Sequence, residues 1–501
     1  LLISLNGEVL KPAFDLTLTK IDEAYYRVES DDRGIMMELS EFFTFFVPGY
    51  KFMPAFKNKM WDGKLRLLDL RTNKIYSGLV MYIKQFCKER DYTLNIPDFK
   101  LHDDNIDWID WLPLGDNIKP REYQKDAVKH ALKYHNALLV SPTASGKSLI
   151  IYLLIRYFME YNKDKKILLI VPTTSLVKQM YGDFADYSKN DETFSPTECH
   201  QIMAGKDKNE DVQIYISTWQ SIYKMPKDYF QQFGMVIGDE AHNFKAKSLT
   251  SILSKCSNAE YRFGLTGTLD GTQTHKLVLE GLFGPVYNVT STKKLIDDNH
   301  LSDLDIDVVL LKHPDEMCKV ISKLKYQDEI SHIVSYDPRN KFIKNLALSQ
   351  KGNTLVLFQF VEKHGIPLHK MILDGAAKGR RVFFVAGQTD AETREEVRAI
   401  TETQDDAIIV ASLGTFSTGI NIKNLHNLIF ASPSKSQIKV LQSVGRVLRK
   451  SKDGQPAKVY DIADDLHWKS RKNYTLNHSA ERVKIYAKQK FKFKIHEINL
   501  L

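Results

Sequence analysis

Ser141-Pro142-Thr143-Ala144-Ser145-Gly146-Lys147-Ser148 is the stretch on which the reading of this 501-residue chain turns. A short apolar run, Ala137 to Val140, precedes it and reads as a buried strand. Leu149 to Tyr161 follows, apolar and free of Gly and Pro, and long enough for a helix. Strand, tight loop, Lys-Ser and helix form the layout of a phosphate-binding loop. Backbone N–H groups and the helix N-terminus face the phosphates, the Lys reaches the β/γ oxygens and the Ser hydroxyl serves Mg²⁺. The pattern is not strict, because Ser141 stands where Gly is usual and Ala144 where many motor ATPases carry Gly. An ordinary αβ loop with an exposed Lys is the competing explanation, and the rest of the chain has to decide.

Length points to about three domains. A hydrophobic content of 43% lets each bury a core. The net charge of +8 favours an anionic partner. Four scattered cysteines, Cys87, Cys199, Cys256 and Cys318, show no metal spacing and read as reduced thiols of a cytoplasmic protein. No apolar run is long enough for a membrane span.

Residues 1–112 read as a small α+β domain. Short β-rich runs (Leu16 to Thr19, Ala24 to Val28, Ile35 to Leu39) lead into an aromatic cluster, Phe42 to Tyr50. Seven basic residues against two acids follow between Lys51 and Lys74, interleaved with Phe52, Phe56 and Trp61. A helix is expected over Leu79 to Arg90. Basic groups neutralise phosphates and aromatics stack on bases, so Lys57, Lys59 and Lys64 are candidate nucleic-acid contacts. The alternative is that the aromatics are core and the lysines a solvated face. Asn105 to Asp116, with Pro113 and Gly115, reads as a linker.

Over 113–300 strand and helix alternate, the pattern of a parallel α/β sheet. Strands are expected at Ile167 to Val171, Gln213 to Ser217, Met235 to Gly238 and Arg262 to Leu265, and a hinge from Gly284-Pro285 to Leu304. A second series over 301–465 has strands at Thr354 to Phe358, Val382 to Val385, Ala407 to Ala411, Leu428 to Ala431 and Lys458 to Asp461. It has no phosphate loop. Residues 466–501 are a basic tail, with nine basic residues against two acids between Trp468 and Glu497. A helix over Ser479 to Lys490, docking Val483, Tyr486 and Ala487, is expected to pack on the second sheet, and its basic face to track phosphates, two readings that can hold together.

After the strand ending at Gly238 comes Asp239-Glu240-Ala241-His242. A carboxylate at a strand end beside a phosphate loop serves Mg²⁺, and the next Glu polarises the attacking water. Positioning and electrostatics supply most of the catalysis in phosphoryl transfer.

With these residues the chain resembles the superfamily 2 helicases of the D-E-A-H type, over about residues 118 to 465. Arg121, Tyr123 and Gln124 resemble the adenine-reading Q element. Val171 to Leu176, with Pro172 and Thr173, resembles motif Ia, Ser217-Thr218-Trp219-Gln220 motif Ib and Leu265-Thr266-Gly267-Thr268 motif III. Leu357 to Phe360 falls where motif IV lies. Ser412 to Asn421, including Thr415 and Gly419, resembles motif V. Gln442 to Arg449 resembles motif VI.

The resemblance implies two tandem RecA-like domains and an ATP- and Mg²⁺-dependent DNA helicase or translocase acting on branched or forked DNA. It also implies tracking along one strand, and work as a monomer. An RNA helicase, or an enzyme of RNA–DNA hybrids, is the alternative, since the motor motifs read backbone. A restriction-enzyme motor and an inactive scaffold fit less well. The first lacks a visible nuclease cluster, and the second does not explain why Lys147, Asp239, Glu240, Arg446 and Arg449 occur together.

By resemblance, Arg121, Gln124, Thr143, Ala144, Ser145, Gly146, Lys147, Ser148, Gly419 and Asn421 hold the nucleotide, and Ser148 and Asp239 hold the metal. Glu240, Asp239, Lys147, Gln442, Arg446 and Arg449 serve catalysis, the two arginines as fingers on the γ-phosphate. Pro172, Thr173, Thr218, Gln220 and Thr415 would touch the nucleic-acid backbone. His242, Thr266 and Thr268 would couple the two events. Gly238 departs from the apolar residue usual before the acidic pair, and Asn421 stands where relatives often have Asp.

Overall fold

The computed structural model describes residues 14–500 except 104, 204–206, 245, 270, 416–421, 423, 434–435, 437–439, 442 and 446–455. By contacts the chain divides into two units, Leu1–Ser141 with Gly146–Val289, and Pro142–Ser145 with Thr290–Leu501.

The N-terminal part of the first unit holds β1 (Leu16–Lys20), β2 (Tyr25–Glu29), β3 (Thr44–Phe46), β4 (Lys64–Arg66), β5 (Lys74–Tyr76) and β6 (Leu94–Asn95). Four of these form a mixed sheet in the order β5-β2-β1-β6, and β3 and β4 pair separately as a hairpin. Ile35 to Leu39 is not a strand. It lies in the helix Arg33–Phe42, which Asp32 caps by accepting from the Gly34 N–H. Ile35, Met36 and Leu39 are buried there at helical spacing, a 3.6-residue period hidden in a short apolar run. Val80–Glu89 is the helix expected over Leu79 to Arg90.

This part is not a free-standing body. Leu277 of the following sheet domain belongs to its core cluster, and Tyr76 packs into the neighbouring one. A Cβ on Gly78 would come within 1.9 Å of the Glu280 carbonyl oxygen, so only glycine permits this approach. The segment read as a linker contains a short helix, Trp108–Trp111, and is tied down by Gly115 N–H donating to the Tyr187 carbonyl.

The remaining strands of this unit are β7 (Asn136–Val140), β8 (Lys166–Val171), β9 (Cys199–Ile202), β10 (Ile214–Thr218), β11 (Phe233–Asp239), β12 (Tyr261–Thr266) and β13 (Val286–Asn288). They pair in parallel in the order β13-β7-β12-β11-β8-β10-β9. Every residue of β10, β11 and β12 is buried, as a sheet covered by helices on both faces requires. The expected hinge begins differently: Gly284-Pro285 leads into β13, and the helix Thr292–Asp297 follows.

The second unit contains β14 (Leu304–Lys312), β15 (Thr354–Phe358), β16 (Val382–Val385), β17 (Ile408–Ser412), β18 (Asn427–Phe430), β19 (Ala457–Asp465) and β20 (Phe493–Asn499), in the order β16-β17-β15-β18-β19-β14-β20. All pairings are parallel. The C-terminal segment is therefore more than a helical tail. Its helix runs Tyr474–Lys488, and β20 then adds an edge strand beside β14. Ala487 is exposed, and the buried face is Arg482, Ile485 and Tyr486. Arg482 binds the Asp461 carboxylate through Nε and Nη2, and Tyr486 donates to the same carboxylate at 2.9 Å. One of the nine basic residues of the tail is thus a core ion pair.

Candidate active site at the strand ends of the first sheet

Three adjacent strands, β7, β12 and β11, end side by side, with Val140 opposite Thr266 and Leu265 opposite Asp239. Ligands of open α/β sheets bind beyond such carboxyl ends. The loop after β7 opens with Ser141, which is fully buried and donates its N–H to the Thr266 carbonyl at 2.8 Å. A side chain that small and hydroxylic suits a loop origin wedged against β12. Ser145 Oγ closes the loop by donating to the Pro142 carbonyl at 2.6 Å.

Two residues of the loop take left-handed backbone, Ala144 at φ 66° and Gly146 at φ 79°. The first accounts for the glycine many motor ATPases place there. At Gly146 a Cβ would also come within 2.4 Å of Gln124 Nε2. That amide donates to the Gly146 carbonyl at 3.3 Å, while Gln124 Oε1 accepts from the Arg121 N–H at 2.8 Å. Gln124 is therefore buried and braces the loop as well as capping its own helix, Glu122–Tyr134. Arg121 donates to the Tyr123 hydroxyl at 2.7 Å.

The helix Lys147–Tyr161 starts directly behind the loop, so its unpaired N–H groups and dipole face the loop. Lys147 Nζ donates to the Ser141 carbonyl at 3.4 Å. Ser148 Oγ is 2.8 Å from the Tyr187 hydroxyl. Tyr187 lies on another helix, and nothing in its local sequence marks it as a partner of the loop.

Asp239 closes β11 and is buried. Burial and the neighbouring Glu240 charge raise its carboxyl above the ordinary range, with the Lys147 ammonium opposing them. Its Oδ1 accepts from the Glu240 N–H at 2.8 Å. Glu240 has φ 48° and ψ 51°, left-handed backbone that a non-glycine residue adopts at a cost. The turn carries Glu240 out of the sheet with its side chain 22% exposed.

His242 Nδ1 lies 3.3 Å from Glu240 Oε2 and 3.1 Å from Thr266 Oγ1. Thr266 Oγ1 donates in turn to the Thr268 carbonyl at 3.0 Å. The three residues expected to couple are therefore linked to Glu240 by a chain of close polar contacts. Gly238 is explained by packing, since a Cβ there would come within 2.7 Å of Phe244 and 2.8 Å of Phe283.

The residues expected to meet nucleic acid divide. Gln220 is exposed, Pro172 and Thr173 are half-buried, and Thr173 caps the helix Thr174–Tyr187 by accepting from the Leu176 N–H. Thr218 and Thr415 are buried. Thr218 Oγ1 is 3.0 Å from Ser221 Oγ, and Thr415 Oγ1 accepts from Ser412 Oγ at 2.7 Å. Lys57 and Lys59 are exposed, and Lys64 Nζ lies 5.3 Å above the Phe46 ring. Gly419, Asn421, Gln442, Arg446 and Arg449 lie outside the described residues. No helix among the described residues is long and apolar enough to cross a membrane.

Three family models match the chain. "DNA helicase UvsW, N-terminal" covers residues 15–97, "Type III restriction enzyme, res subunit" covers 117–271 and "Helicase conserved C-terminal domain" covers 338–451. The chain is 37% identical to the ATP-dependent DNA helicase uvsW of Enterobacteria phage T4 over 96% of its own length and 98% of that protein. It is 23% identical to the DNA 3'-5' translocase XPB2 of Sulfurisphaera tokodaii, over 75% of this chain and 88% of the relative. The crystal structure of T4 UvsW superposes with a TM-score of 0.51 at 35% identity, over 97% of this chain and all of that one. With its N-terminal model, its two helicase models and this near full-length likeness, the chain belongs to the UvsW family of superfamily 2 helicases.

Proposed function

We propose that this chain is an ATP-dependent DNA helicase that unwinds or remodels branched DNA in recombination, repair and replication. The observation that carries the reading is the run of contacts from the Ser141–Ser148 loop to Thr266, and from Thr266 through His242 to Glu240 and Asp239. The T4 relative named as an ATP-dependent DNA helicase supports DNA as the substrate.

In this reading the loop N–H groups and Lys147 bind the triphosphate, and the Gln124 brace keeps the loop open for it. A serine hydroxyl and a carboxylate are hard oxygen donors of the kind Mg²⁺ accepts, so Ser148 and Asp239 fit that ion. Bound there, Mg²⁺ would neutralise phosphate charge. Glu240, projected from its strained turn, orients the attacking water. His242 and Thr266 report the charge state of Glu240 to the motif after β12. Gln442, Arg446 and Arg449 complete catalysis, Gly419 and Asn421 hold the nucleotide, and Pro172, Thr173 and Gln220 grip the DNA strand.

The test is ATP hydrolysis measured with single-stranded, duplex and forked DNA and with RNA. Stimulation by DNA, greatest with the fork, is expected. Stimulation by RNA alone would move the substrate to RNA, and no stimulation by any nucleic acid would end the motor reading.

A further inference from the structure

The tip of the β3–β4 hairpin, residues 47–63, carries side chains that the fold itself does not use. Its base is closed by Val47 N–H donating to the Gly63 carbonyl at 2.9 Å and by Trp61 Nε1 donating to the Lys64 carbonyl at 2.8 Å. Tyr50 stacks on Phe46, the last residue of β3, with ring centres 4.7 Å apart, and Phe56 meets Tyr50 edge-on at 4.8 Å. Gly63, at φ 80°, lets the Tyr50 ring lie against the turn, where a Cβ would come within 2.3 Å of it. Three rings and two closures make the tip stiff without help from elsewhere.

What the stiff tip presents outward is apolar. Phe52 and Met60 are each 81% exposed, and Phe46 is 53% exposed. Single exposed apolar residues are ordinary, but several on one ordered tip mark a contact surface. Lys51, Lys57 and Lys59 lie in the same segment, all exposed. The one acid between 47 and 63, Asp62, is taken up by Arg66. The segment therefore combines exposed apolar side chains with an excess of positive charge. The hairpin base meets the ATPase sheet domain, where Thr274 Oγ1 donates to the Phe46 carbonyl at 3.4 Å, a few residues beyond the Thr266–Thr268 motif.

A closed duplex offers phosphates and hides its base faces, so it would satisfy the lysines and waste Phe52 and Met60. Unpaired bases beside a backbone satisfy both, by stacking and by charge. We propose that this tip is a wedge for the branch point, in which Phe52 and Met60 pack on unpaired DNA bases while Lys51, Lys57 and Lys59 hold the adjoining phosphates. The inference rests on the DNA-helicase reading above and adds the element that separates the strands.

The experiment compares the full chain with the double variant Phe52→Ala/Met60→Ala and with Phe52→Trp, using forked DNA with 2-aminopurine at the first unpaired position. Expected for the double variant are an unchanged melting temperature and ATP hydrolysis on unbranched single-stranded DNA within about twofold of wild type. The fluorescence change at the fork should be lost, and fork unwinding should be slower by at least about tenfold, the scale of losing one stacked base. Phe52→Trp should retain unwinding. Wild-type fork unwinding by the double variant would overturn the wedge and leave the helicase reading standing. So would equal losses on unbranched strand and fork. Absence of DNA-stimulated hydrolysis in the wild type would overturn both.

Discussion

His242 Nδ1 stands 3.1 Å from Thr266 Oγ1, so a side chain just beyond the end of β11 is bonded to one at the end of β12. Because the same nitrogen is 3.3 Å from Glu240, the pair links the water-orienting carboxylate to the segment beyond β12. Thr266→Val keeps the volume and removes the hydroxyl. A hydrogen bond of this kind contributes about 1 kcal/mol, so DNA-stimulated hydrolysis should fall roughly fivefold with ATP affinity unchanged. Steady-state rates with and without DNA, together with nucleotide titration, read the two quantities separately.

Lys147→Ala removes the one side-chain cation of the phosphate loop, and Glu240→Gln the carboxylate that orients water. Each should lower turnover by roughly 100- to 1000-fold, the scale of losing a preorganised electrostatic group. DNA binding measured by fluorescence anisotropy should persist in both. A Glu240→Gln variant that hydrolyses ATP normally would remove Glu240 from its assigned role.

Gly238→Val would restore the apolar residue usual in relatives, yet it should destabilise this chain. Its Cβ alone would press on Phe244 and Phe283, and both rings are buried. Overpacking of this kind costs about 2 kcal/mol. Chemical denaturation should show it, and a paired Phe244→Leu substitution should recover part of the loss.

In the second unit Asp464 is fully buried between Arg339 and His313, at 2.8 and 3.0 Å. Burial alone would raise its carboxyl, but the Arg339 charge and the His313 bond outweigh it and hold it at about 2. A depressed carboxylate stabilises the fold above its unfolded value near 3.8, and the contribution is lost as pH falls toward 2. Asp464→Asn leaves the Arg339 charge buried without its counter-ion and should cost about 3–5 kcal/mol at neutral pH. The gap between the two proteins in urea denaturation should narrow below about pH 4.

Replacing Lys57, Lys59 and Lys64 together should weaken DNA binding and flatten its salt dependence. Each phosphate contact contributes about 0.9 to the slope on duplex DNA, so a fall of roughly 2 to 3 is expected. Titrations at several salt concentrations measure it, and an unchanged slope would return these lysines to a solvated face.

The order of sheets, the phosphate loop and the acidic pair are legible in the chain because local pattern fixes them. Val140, Asp239 and Thr266 end apolar runs of strand length, and a loop with left-handed positions must follow such a run before its helix. The folded chain alone decides which of those ends lie together. The parallel order β7-β12-β11 sets Asp239 beside Leu265 and Thr266 beside Val140, although they lie far apart in sequence. Tyr187 against Ser148, Arg482 against Asp461 and the rings behind Gly238 are invisible to local pattern for the same reason. Helix or strand propensity is a property of neighbours along the chain, whereas burial and pairing depend on partners that only packing supplies.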